Sequence, residues 1–136
     1  MFKSIYSTGA IVKVLMGAYK HYAVVSDRYD NGKPMLISLS ARQGTVCEEA
    51  WDYCAGNRRV VLSSVQGDLH PHQVVERARS KLGKIRYSLL SQNCEHFARW
   101  THDLKVESKQ VQVALFITGA ISIAYHLAKK SVRKYR

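Results

Sequence analysis

An α+β domain is what the sequence predicts, with an antiparallel sheet built by the first half of the chain and helices packed on it from the second half. Three observations lead there. The four clear β-type runs come before residue 66, and the segments with helical spacing begin at Pro71. Asn31-Gly32 stands between two of the strand-like runs, and this pair favours a tight hairpin because both residues tolerate positive φ. With 136 residues, the chain can bury one sizeable core but not two.

Taken in order, GAIVKVLM, residues 9–16, reads as a first strand. Gly17-Ala18-Tyr19-Lys20 connects it to HYAVVSD, residues 21–27, and the hairpin RYDNGKP leads into MLISLSA, residues 35–41. These three form a meander. CEEAWDYCAGN is ambiguous and ends at Gly56-Asn57, after which RRVVLSSV, residues 58–65, is a further strand. Pro71 opens a helix in HPHQVVERARSKLG, where Val74, Val75, Ala78 and Leu82 recur at helical spacing and Gly83 closes it. IRYSLLS is one more short strand or an extended connection. Ser91 or Asn93 can cap the next helix, NCEHFARWTHDL, which buries Phe97, Trp100 or Thr101, and Leu104.

Net charge is +11, and its distribution carries more than its size. All ten acidic residues lie before residue 110, whereas the last eight residues, KKSVRKYR, hold five cations and no anion. Ahead of that tail, QVQVALFITGAISIAYHLA has no charge over residues 110–128. As a helix, such a run spans roughly 28 Å, close to the hydrocarbon thickness of a bilayer. A basic end of this kind favours anionic lipid. The expectation is a domain over 1–109, a membrane helix over 110–128 and a basic tail over 129–136. Val111, Leu115, Phe116, Ile117, Ile121 and Ile123 would enter the apolar phase, with Lys129, Lys130, Arg133 and Lys134 on the headgroups. Nucleic acid is not expected as a partner, because the domain has no basic stripe interleaved with aromatics.

Three cysteines, at 47, 54 and 94, give no paired framework, and MFKSIYSTG is too polar for a secretory h-region. Reduced thiols in a cytosolic compartment follow. Neither the cysteines nor the six scattered histidines have metal-ligand spacing, so no metal is expected. Cys94 stands apart, in SQNCEHFARW. It can be a packed core residue or a nucleophile. A nucleophilic cysteine reacts as thiolate, which needs a helix N-terminus or a base to form near neutral pH. His96, two residues on, points to another side of the same helix. His21, at the start of a strand that would pack near this helix, is the better base.

The residues resemble a known family at this point. GAIVKVLMGAYKHYAVV has a Gly-opened strand leading to Tyr-basic-His-aromatic-Ala, and Val75 through Leu82-Gly83 and Tyr87 leads to Asn93-Cys94-Glu95-His96-Phe97. Both blocks, and the apolar C-terminal run with its basic end, are similar to the phospholipase A and acyltransferase family, relatives of lecithin retinol acyltransferase. The resemblance implies a circularly permuted papain-like thiol fold, with the H-box around His21 and the NC motif at Cys94. It makes Cys94 the nucleophile, His21 the general base, and Tyr19, Asn93 and the Cys94 amide the oxyanion or orienting groups. The implied substrates are glycerophospholipids, whose acyl group passes through a thioester to water, an amine or a lysolipid. No cofactor is implied, and the expected location is the cytoplasmic face of an intracellular membrane.

One position departs from the family pattern. The third residue, most often a second histidine, aligns with Ser38, and Ser40 is a nearby alternative. A serine holds an imidazole but stabilises imidazolium less well than histidine or carboxylate. The alternative implied is therefore a weak or inactive relative, like the H-box/NC proteins of some picornaviruses, acting through partners. Ala10 and Tyr22 are lesser departures, where the family often has aspartate and tryptophan.

Overall fold

The computed structural model describes residues 6–89, 93–105 and 108–119. Its centre is a five-stranded antiparallel sheet of order β4-β3-β2-β1-β5, built from β1 (Ile11–Leu15), β2 (Lys20–Asp30), β3 (Lys33–Ser40), β4 (Thr45–Glu49) and β5 (Val60–Leu62). Asn31 and Gly32 have φ of 50° and 74°, the two positive values that a primed hairpin turn requires, and they set the pairing of Asp30 with Lys33. The expected meander is therefore present, and the strand expected over 58–65 is the shorter β5, paired with β1.

Alternate residues along each strand feed opposite faces of the sheet. Val12, Val14, Ala23, Val25 and Leu36 pack with Trp51 and Cys54 of α1 (Trp51–Cys54). On the other face, Ile37, Leu39 and Val46 pack with Val75 and Ala78 of α2 (Pro71–Ser80) and with Phe97 of α3 (Cys94–Thr101). Ile11 and Tyr22 continue this second layer against Cys94 and Ala98. The nucleophile candidate thus sits where α3 starts over the end of β2.

The ambiguous segment is resolved into two elements. β4 occupies its start as an edge strand, pairing Ser38 with Cys47 and Leu36 with Glu49, and α1 is a single turn. In the described part of the IRYSLLS segment, Arg86 bridges to Thr45, and Ile85 and Tyr87 pack against Ile37, Leu39 and Val46. Glu48 of β4 receives two hydrogen bonds from Arg79 of α2, at 2.9 and 3.3 Å, and a further one from Ser26. Arg79 also pairs with Asp27, so one guanidinium ties α2 to two strands.

Residues 109–119 are helical. Among the described residues no helix is long and apolar enough to cross a membrane, and residues 120–136, which carry the second half of the expected membrane segment and all of the basic tail, lie outside the described residues.

Candidate active site

His21 is the second residue of β2, opposite Val14 of β1. β2 and β3 pair as far as Val24 and Ile37, and past that point His21 reaches across to β3, where its Nε2 lies 2.9 Å from Ser38 Oγ. Ser38 is fully buried. Ser40 is occupied differently, its hydroxyl accepting the Gln43 N–H in the turn into β4. Of the two serines that could stand at the third position, the structure brings Ser38 to the imidazole. Burial, with the nearby Arg42 charge adding to it, lowers the His21 pKa to about 4, so this ring is neutral at physiological pH.

Cys94 occupies the first position of α3 because Asn93 stops the chain there. The Asn93 side chain accepts the N–H groups of Glu95 and His96, each at 3.0 Å, and donates to the Leu89 carbonyl at 3.0 Å. His96 completes a capping box by accepting the Asn93 N–H through Nδ1. Its imidazole therefore shapes the helix start and does not face Cys94 as a base. The Cys94 thiol donates to the Lys20 carbonyl at 3.9 Å, the carbonyl of the peptide bond that leads into His21. Burial raises its pKa; hydrogen bonds from the Tyr22 and Glu95 N–H groups pull the other way and are outweighed. Cys94 and His21 are thus an uncharged thiol and an uncharged imidazole lining one cavity of about 140 Å³.

That cavity adds groups the sequence did not single out. Arg42 and Glu49 lie on its wall, 3.7 Å apart, and burial pushes the Glu49 carboxyl up while Arg42 pulls it down. Cys54 also lines it, its thiol pushed up to about 12 by burial and then by the Glu49 charge. Tyr19 stands half exposed at the mouth and Tyr87 beside it. No local pattern marks Arg42 or Glu49. They reach the site because the turn after β3 and the end of β4 fold over it.

Glu95, unassigned in the sequence apart from its place in the NC motif, is fully buried and faces the chain that follows α3. Its carboxylate accepts the Lys109 N–H at 2.6 Å and the Ser108 hydroxyl at 3.5 Å, which places a negative group at the start of the C-terminal helix. Gln110 in turn brackets Lys20, accepting its N–H at 3.0 Å and donating to its carbonyl at 3.2 Å. Of the residues expected to bind membrane, Val111 lines a second cavity together with Cys94, and Leu115, Phe116 and Ile117 are exposed on the helix. Ile121, Ile123, Lys129, Lys130, Arg133 and Lys134 lie outside the described residues.

His102 is buried for a structural purpose. Its Nδ1 accepts the Gly67 N–H at 2.9 Å, and its Nε2 donates to the Gly9 carbonyl at 2.7 Å, joining the end of α3 to two loops. Among the described residues no cluster of three or more His, Cys, Asp or Glu side chains could hold a metal ion.

No curated protein matches the chain. The family model of lecithin retinol acyltransferase matches residues 4–105, which takes in His21, Ser38 and Cys94 and ends just before the C-terminal helix. The chain belongs to the lecithin retinol acyltransferase family, and its general activity is that of a lipid acyltransferase or phospholipase.

Proposed function

We propose that the chain is a phospholipase A and acyltransferase in which Cys94 is the nucleophile and His21 the general base. The observation that carries this reading is the convergence of three elements: a helix-start cysteine and a strand-start histidine line one cavity, and a buried serine holds the histidine. Because Nε2 is engaged with Ser38, Nδ1 is the nitrogen left to take the thiol proton. Cys94 Sγ attacks the ester carbonyl of a glycerophospholipid as His21 accepts that proton. The oxyanion forms beside the Cys94 backbone N–H, with the Tyr19 hydroxyl at the mouth. Collapse breaks the ester C–O bond, and the leaving lysophospholipid oxygen takes the proton from His21. Water, an amine or a lysolipid hydroxyl then attacks the thioester, His21 accepts its proton, and the proton returns to the Cys94 sulphur.

Membrane attachment belongs to the same reading. Leu115, Phe116 and Ile117 are exposed on a helix that starts at the active site, and the uncharged sequence with its basic end continues beyond them. A location on the cytoplasmic face of an intracellular membrane suits a reduced cysteine nucleophile.

The test is incubation of the full chain with phosphatidylcholine or phosphatidylethanolamine carrying a labelled acyl chain, followed by intact-protein mass spectrometry. An acyl adduct on Cys94, absent in Cys94→Ala, is the expected result. A folded wild-type protein that gains no adduct and releases no labelled fatty acid favours a second reading, a binding protein on the same scaffold. The serine at position 38 and the uncharged resting pair favour that reading.

A further inference from the structure

The Cys94 sulphur lies on the wall of two cavities of opposite character. The smaller contains Arg42 and Glu49. The larger, about 420 Å³, has no charged residue on its lining, and its volume lies within the usual range for small-molecule sites. Tyr19, Ala41, Tyr87 and Leu89 form one side of it, and Gln110 and Val111, from the first turn of the C-terminal helix, form the other. That second wall is held from within the catalytic centre. Gln110 clasps the backbone N–H and carbonyl of Lys20, and that carbonyl also receives the Cys94 thiol. The buried Glu95, next in sequence to Cys94, anchors Ser108 and Lys109.

We propose that the larger cleft is the acyl-chain site, that the start of the C-terminal helix forms one of its walls, and that Gln110 is the positioning residue holding this wall against the Cys94–His21 pair. The inference rests on the acyltransfer reading for the identity of the chain as an ester's acyl group, but the cleft itself has a test that needs no turnover. An uncharged cleft ending at a reactive sulphur selects for length, because each buried methylene adds favourable transfer energy. The charged cavity on the other side of the sulphur then receives the polar end of the same molecule.

The probe is a series of N-ethyl-, N-hexyl- and N-decylmaleimide, used below their aggregation limits on the full-length protein. Alkylation of Cys94 is followed by peptide mapping, with the partly exposed Cys47 as the internal reference. Expected is a Cys94 rate that rises with chain length by on the order of ten-fold or more, what about two buried methylenes supply, while Cys47 shows no such preference. Val111→Trp, or the milder Val111→Phe should the tryptophan variant not fold, reduces the long-to-short ratio at Cys94 towards one. Gln110→Ala flattens the ratio as well, whereas a merely structural role for Gln110 changes the rates at all lengths alike. A flat wild-type ratio, or a ratio untouched by filling the cleft at Val111, overturns the inference even if phospholipid acylates Cys94. A steep ratio in a protein that gains no acyl adduct leaves the alkyl-chain cleft standing and removes the acyltransfer reading.

Discussion

Replacing Ser38 by aspartate asks what keeps the Cys94–His21 pair uncharged. In the wild type the His21 pKa is about 4, through burial and then Arg42, and burial raises the Cys94 thiol. Proton transfer between them is therefore uphill before substrate arrives. Ser38 Oγ lies 2.9 Å from His21 Nε2, so a carboxylate at that position would sit within about 4 Å of the imidazole charge. At an effective dielectric of about 20 this attraction is on the order of 4 kcal/mol, or about three decades of proton affinity. That carries His21 from about 4 into the neutral range, and the imidazolium then lowers the thiol beside it. The assay is iodoacetamide alkylation of Cys94 from acid to alkaline pH, read by peptide mapping because Cys47 and Cys54 are also free. Wild-type Cys94 should react faster with rising pH and show no plateau on the acid side. Ser38→Asp should add a reactive shoulder below neutrality, while Ser38→Asn, similar in shape and uncharged, should follow the wild type. A plateau in the wild type between about pH 5 and 7, as an existing thiolate–imidazolium pair gives, would refute the reasoning from burial. So would a folded Ser38→Asp protein with an unaltered profile.

Three further outcomes follow from the same contacts. The folded His21 pKa lies below the unfolded value of about 6.5, so the unfolded chain binds the proton first and stability falls as pH drops from 6.5 towards 4. Denaturant titrations should show this loss, on the order of 3 kcal/mol, in wild type but not in His21→Gln; parallel curves would refute it. Arg79→Met, which breaks the ties to Glu48, Ser26 and Asp27, should cost about 2 kcal/mol at neutral pH, between exposed and buried ion pairs. Burial pushes Glu48 up, but hydrogen bonds from Arg79 and Ser26 outweigh it, and the Arg79 hydrogen bond lowers Asp27. Their stabilisation is therefore present above about pH 4 and lost below it, and the penalty of Arg79→Met should shrink in acid; a penalty independent of pH would count against the network. Asn93→Ala should cost about 1–2 kcal/mol as a lost helix cap, with faster amide hydrogen exchange at Glu95 and His96 before the rest of α3. Unchanged exchange there would deny Asn93 its capping role.

The first three strands, their hairpin and the helices after Pro71 are legible from local chemistry alone. Tyr22 to Val25 is a continuous apolar run, as a strand buried on both faces demands, Asn31-Gly32 admits the two positive φ values, and Asn93 caps α3 as its side chain permits. Cys94 and His21 lie 73 positions apart and no periodicity spans that gap, so strand and helix placement offers His21 as a candidate and the resemblance to a family singles the two out. β4 escaped the sequence reading because an edge strand carrying Glu48 and Glu49 lacks apolar alternation. The choice between Ser38 and Ser40 could not be made along the chain. Both lie on the same side of β3, and only the pairing of β2 beside β3 brings the first to the imidazole while the turn takes up the second. The clasp of Gln110 on Lys20 and the anchoring of the C-terminal helix on Glu95 likewise depend on contacts between distant segments. Local propensity fixes which residues form strands and helices. Which polar groups meet at the sulphur is decided by tertiary packing, since a buried polar group takes its partner from whatever the fold places beside it.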